Sequence, residues 1–184
     1  EISNALQREL ALLPELFGTL QKGTPQDPAV TKESVHHFFK YVSGEPLIRP
    51  SWFFDVNQQG EGIVDVTTHL VDLIQWSCFP NQVINYQKDI KFLSATHNAT
   101  TLTPEQFKLV TKNDSYPDYL RKDVKGNNLE VYANGQIDYT LKGVHARASV
   151  IWNFQAPQGT GDTHYSIMKG SKANLCINLI ICSY

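Results

Sequence analysis

Cysteine is scarce in this sequence. Three stand in 184 residues, Cys78, Cys176 and Cys182, and none forms a C-x-x-C pair. That argues against a disulfide scaffold and against a cysteine-built zinc site, and leaves buried free thiols as the expectation. Long apolar runs are missing too, so nothing approaches the roughly 18–20 consecutive apolar residues of a membrane helix. Charge of one sign is also missing. Sixteen Lys and Arg against eighteen Asp and Glu leave a net charge of -2, without the basic patch that nucleic acid or an anionic membrane selects. No G-x-x-x-x-G-K-[ST], G-x-S-x-G or H-E-x-x-H occurs, and Gly60-x-Gly62 lacks the third glycine and the βαβ setting of a dinucleotide fingerprint. The opening EISNALQREL has no basic-then-apolar order of a secretory signal and no initiator Met. It reads as a mature form or a piece of something longer. Neutral composition and free cysteines lean cytoplasmic, with a periplasmic location left open.

What is present is ordinary globular composition, 41% hydrophobic and 18% charged, enough for one domain over residues 1–184. Ile2, Ala5, Leu6, Leu10, Leu13, Phe17 and Leu20 recur at helical spacing and predict a helix over 1–22 with that stripe facing the core and a kink at Pro14. Residues 34–44 predict a strand, WFFDV (52–56) a short extended piece, and 57–62 a turn. IVDVTTHLVDLIQW predicts a helix over 63–76. Residues 82–93 predict a strand and 94–103 a polar loop. Thr103-Pro104-Glu105 predicts the start of a short helix, and 112–128 a polar connection. The remainder reads as strands: a hairpin turning at Asn134-Gly135, a long strand over 144–157, and one or two more after QGTGDT. Helices followed by strands predict an α+β fold, a largely antiparallel mixed sheet with helices on one face and no Rossmann domain.

Chemistry concentrates in GEGIVDVTTHLVD (60–72). Asp65 and His69 stand four apart, which places both on one face of a helix, where the carboxylate can orient the imidazole and raise its basicity. A histidine so held can take a proton from a hydroxyl. The spacing alone favours a structural Asp–His pair, because such i,i+4 pairs are common. A metal set of Asp65 and His69 with His36, His37 or His164 has no supporting motif. Adjacent His36 and His37 should point to opposite sides of a strand and cannot share one ion. The loop GTGDTHYS (159–166), with His164 and Tyr165 after Asp162, is a second candidate. Trp52 beside Asp55, an aromatic face next to a carboxylate, suits a sugar.

These residues resemble a known family. W52-F-F-D55 followed by G60-E-G62-I-V-D65-V-T-T-H69-L-V-D72 is similar to the W…G-G-G-x-x-x-D-x-x-x-H-x-x-D segment of glucose–fructose oxidoreductase/inositol dehydrogenase-like enzymes. LFGTLQKG resembles the segment before the first strand of their C-terminal domain. KESVHHFFKYVSG, QGEGIVDVTTHLVDLIQW and GDTHYSIMKGSKANL look like the oxidoreductase C-terminal domain of Bacteroidetes-type members, over nearly the whole chain. The resemblance implies a two-domain parent. An N-terminal Rossmann domain, missing here, binds NAD or NADP, and this domain binds a sugar or cyclitol. It implies His69 as the proton-transfer catalytic residue and Asp65 as its partner, with Asp72 as a substrate contact. Trp52 and His164, from the two other candidate settings, complete the expected substrate contacts. This chain departs from the pattern in having no G-x-G-x-x-G, no E-K-P lysine and only two of the three glycines. It is therefore expected to hold no cofactor or metal by itself. A homo-oligomer through the sheet face away from the helices is expected, such a face often being apolar. The alternatives are a non-catalytic carbohydrate-binding or assembly module of the same fold, and a metal-dependent sugar lyase or isomerase.

Overall fold

A computed structural model of the chain describes residues 2–158 and 160–181. Helix α1 (Ile2–Ala11) opens the chain, followed by strand β1 (Val30–Phe39) and a small hairpin of β2 (Tyr41–Val42) and β3 (Glu45–Pro46). A 3₁₀ turn over Ser51–Phe54 leads into three short helical pieces, α2 (Val56–Gln59), α3 (Gly62–Asp65) and α4 (Thr67–Cys78). After α5 (Tyr86–Asp89) come β4 (Ile90–Leu102), α6 (Pro104–Thr111), β5 (Val124–Lys125) and the long strands β6 (Asn128–Leu141), β7 (Val144–Gln155), β8 (Asp162–Lys169) and β9 (Asn174–Ile181). The sheet runs β4-β6-β7-β1-β8-β9, with β5 beside β6. Its pairs are antiparallel except β1–β7. The expected α+β class holds.

Helices cover one face. In β6 and β7, alternate residues point into two apolar clusters. One gathers Tyr139, Leu141, Ala146 and Ala148 under Leu70 and Ile74 of α4. The other gathers Leu129, Val131, Val150 and Trp152 with Phe38, Phe54 and Phe107. The intervening residues form the opposite face, which is polar. Arg147 Nε donates to Asp138 at 2.6 Å, Gln136 and Ser94 donate to the same carboxylate, and Ser149 donates to Glu33 at 2.8 Å. Thr96, Asn98, Gln136 and Asn153 line a groove of about 550 Å³ there. The face expected for self-association is thus hydrogen-bonded and polar over β4 and β6, and carries exposed Ile151, Tyr165 and Ile180 across β7, β8 and β9.

Several local expectations are corrected. Helix α1 ends at Ala11, short of Pro14, and its inward side is polar. Asn4 and Gln7 are buried, while Ile2, Leu6 and Leu13 are exposed. The reason is Lys32, fully buried on β1, whose ammonium donates to Asn4 (2.8 Å), Gln7 (3.2 Å) and Ser166 (2.8 Å). A buried ammonium demands oxygen acceptors, and α1 turns its amides inward to supply them. Residues 52–54 and 56 are helical rather than extended, with only Asp55 extended between the 3₁₀ turn and α2, and 94–102 are strand rather than loop. The latter form an edge strand exposed on both sides, which leaves no hydrophobic alternation to read. Cys78 is half-buried and Cys176 exposed; burial pushes the Cys78 thiol up to about 12. Cys182 lies outside the described residues.

Asn134-Gly135 is not a turn. Strand β6 runs straight through it, and the hairpin to β7 closes at Lys142-Gly143, both with positive φ (50° and 81°). Asn134 instead sits beside a register shift between Asn98 and Thr100 of β4. Its amide donates to Asn98 O (3.2 Å) and Thr100 Oγ1 (2.8 Å), and its oxygen accepts from Trp152 N–H (2.6 Å). A side chain there replaces ladder bonds that the bulge breaks.

Candidate active site

The approach to α3 is built by Asp55. Its carboxylate caps α2, accepting from Asn57 N–H (3.1 Å), Gln58 Nε2 (2.8 Å) and Lys122 Nζ (3.1 Å). The Gln58 hydrogen bond, with those from Lys122 and Asn57, holds the Asp55 carboxyl below its usual range against the opposing effect of burial. The sugar-facing carboxylate considered for Asp55 is therefore a helix cap. Neighbouring Trp52 is 46% exposed and available as an aromatic face.

Gly60 and Gly62 set the helix on the sheet. Gly60 has φ +90° and turns the chain out of α2. At Gly62 a Cβ would stand 1.7 Å from Ala133 O, and at Gly135 a Cβ would stand 2.4 Å from Ile63 Cγ1. Helix α3 therefore rests directly on the backbone of β6. Glu61, between the glycines, accepts from His97 Nδ1 of β4 at 2.7 Å on the surface.

The single helix expected over 63–76 is interrupted at Val66, so Asp65 ends α3 while His69 and Asp72 stand on α4. His69 and Asp72 are exposed and Asp65 is half-buried. Among the described residues these three side chains make no hydrogen bond or ion pair. Asp65 instead lines a cavity of about 20 Å³, room for one water, walled by Phe53, Gly60, Gly62, Ala133 and Trp152. Arg49 packs on two of the same rings, 4.3 Å from the Phe53 centroid and 5.2 Å from that of Trp152. It donates to Phe38 O (2.8 Å) and His37 O (3.1 Å). Burial lowers the Arg49 pKa, and the charges of Asp162 and Asp65 oppose that shift.

His164 does not join this group. It is buried on β8 with Nδ1 3.2 Å from Ser34 Oγ, a place inside the β1–β8 pair rather than a surface open to a sugar. The second loop candidate resolves instead onto Asp162. One carboxylate oxygen accepts from His37 (3.0 Å) and the other from His36 (3.2 Å) and from Lys40. Burial pushes this carboxyl up, but the hydrogen bonds from His36, Lys40 and His37 outweigh it and hold it well below the usual carboxylate range. His36 and His37 thus share one partner despite being adjacent. The β1–β8 pairing ends at Val35–Thr163, and the two oxygens fan around the strand end. Among the described residues no three His, Cys, Asp or Glu side chains are arranged to hold a metal ion. Sequence reasoning missed Arg49 and Trp152, and placed Asp162 in a candidate loop without its hub role. No motif marks Arg49 or Trp152, and the partners of Asp162 lie 122 or more residues away.

The comparisons agree with this architecture. The family model described as "Putative oxidoreductase C terminal domain" matches residues 6–179, and the chain belongs to that family. The chain is similar to a crystal structure described as a putative oxidoreductase from Parabacteroides merdae, with 58% identity and a TM-score of 0.95 over 98% of this chain. It spans 41% of the length of that relative. No curated protein matches.

Proposed function

We propose that the chain is the substrate-binding domain of an NAD(P)-dependent oxidoreductase acting on a sugar or cyclitol hydroxyl. The observation that supports it is Asp65 and His69 flanking a helix junction seated on the sheet, both with hydrogen-bonding capacity unspent. His69, at the surface, takes the hydroxyl proton as the carbonyl forms. Asp65 lines a small aromatic-walled cavity at the end of α3 and serves as an acceptor there. Exposed Asp72, one turn on, and Trp52 offer a polar and an apolar contact to the ring. Hydride chemistry belongs to a nicotinamide cofactor, and this chain does not form its cradle. Gly60 serves a turn, and the space at Gly62 is filled by Ala133 O. The cofactor and the Rossmann domain that binds it are assigned to the rest of the longer protein. The sheet face away from the helices serves as the homo-oligomer contact, joining its polar groove to the exposed Ile151, Tyr165 and Ile180.

The test is sugar-dependent reduction of NAD and NADP by the full-length protein. His69→Ala should lower kcat/KM by about 100-fold or more; unchanged turnover removes the assignment. A second reading, a non-catalytic sugar-binding or assembly module, is favoured by the lack of any bond between Asp65 and His69. Sugar binding by full-length protein that turns over none of a panel of hexoses and inositols would select it.

A further inference from the structure

We infer that Asn134 and Gly135 are positioning residues for Asp65 of the proposed site; this rests on the catalytic reading above. Glycine inside a strand marks a place where another chain segment comes close. Here that segment is α3. Ile63 occupies the space of a Gly135 Cβ, at 2.4 Å for Cγ1 and 2.8 Å for Cδ1. Ile63 stands two residues before Asp65, so a displaced Ile63 carries Asp65 with it. Gly62 locks the same contact from the helix side against Ala133 O.

Asn134 fixes the other side of the seat. Its amide spans three strands, bonding β4 through Asn98 and Thr100 and β7 through the Trp152 N–H. Trp152 walls the Asp65 cavity. One dipeptide therefore sets both the height of α3 above the sheet and the place of the ring beside Asp65. Proton transfer depends on sub-ångström placement, and a misplacement near 1 Å can cost about 100-fold in rate.

The experiment uses full-length protein and compares wild type, Gly135→Ala, the double variant Gly135→Ala/Ile63→Ala, and Asn134→Ala. Gly135→Ala should lower kcat by about 10-fold or more with a smaller change in KM, and should move the limbs of the kcat–pH profile. The double variant, which removes the clashing Ile63 carbons, should recover most of the loss. A kcat within twofold of wild type in Gly135→Ala would overturn the proposal, as would a KM that rises as much as kcat falls, or a loss the double variant leaves unrecovered. If Gly135→Ala yields no folded protein, Asn134→Ala decides. A kcat lowered with little change in KM supports the role, and a kcat within twofold of wild type overturns it. Loss of the catalytic reading is read separately, from His69→Ala retaining full turnover.

Discussion

Two groups of titratable residues stand at neighbouring places on this sheet and are treated in opposite ways. Around Asp162, every charge has an answer: His36, His37 and Lys40 converge on one carboxylate. At Asp65, His69 and Asp72, none of the three side chains has a hydrogen-bonded partner among the described residues. The first group has spent most of its capacity inside the fold, leaving the buried His36 Nε2 without a hydrogen bond among the described residues. In the second, Asp65 is seated by glycines against a strand, while exposed His69 and Asp72 face solvent. Polar groups that are satisfied internally stabilise; polar groups that are positioned but unsatisfied are where substrate chemistry has room.

That contrast can be broken by experiment. The largest effect should come from His69→Ala in the full-length protein: about 100-fold or more in kcat/KM, with unfolding free energy changed by less than about 0.5 kcal/mol because the side chain is exposed. Urea unfolding beside the turnover assay measures both, and a large stability loss would put His69 in the satisfied class. Asp162→Asn should reverse the pattern and cost about 3 kcal/mol in urea unfolding at neutral pH, since it removes the partner of three buried or half-buried groups.

The pH dependence has a definite sign. The Asp162 carboxyl is depressed in the folded state. Its contribution is present above the unfolded carboxyl value of about 4 and is lost as pH falls through the lower folded value. The stability gap between wild type and Asp162→Asn should therefore shrink between about pH 4 and pH 2. A gap constant over that window would show that Asp162 acts by shape and not charge. A smaller cost, about 1 kcal/mol, is expected for Asp55→Ala through the lost α2 cap, read as a lower urea midpoint. The smallest belongs to His97→Ala. Its pair with Glu61 is exposed, and its loss should stay within about 0.5 kcal/mol; a larger loss would mean that α3 is seated by charge as well as by glycine.

Some of the molecule was legible from local signals. Thr103, Pro104 and Gln106 form the capping box and first turn of α6, as residue order implies. The glycines before Asp65 marked a close approach to the sheet, whereas the spacing of Asp65 and His69 did not show the break at Val66 that divides them between two helices. Asn134-Gly135 misled because a strand-interior glycine and a hairpin glycine look alike in sequence. The distinction depends on Ile63, which lies about seventy residues away. Helix α1 misled for a similar reason: its apolar stripe is the usual inward face, yet Lys32 draws the amide side in.

The sequence by itself determined the class of fold, through helical spacing first and strand-forming segments later, and it determined which stretch carries tunable protons, because such residues are rare in apolar runs. Only the tertiary structure decided what each of them is for. Asp162 became a hub, Asp55 a cap, His164 a buried contact, and Asp65 a carboxylate facing a cavity. Those roles depend on which atoms from distant segments come within hydrogen-bonding distance, and no local pattern encodes that.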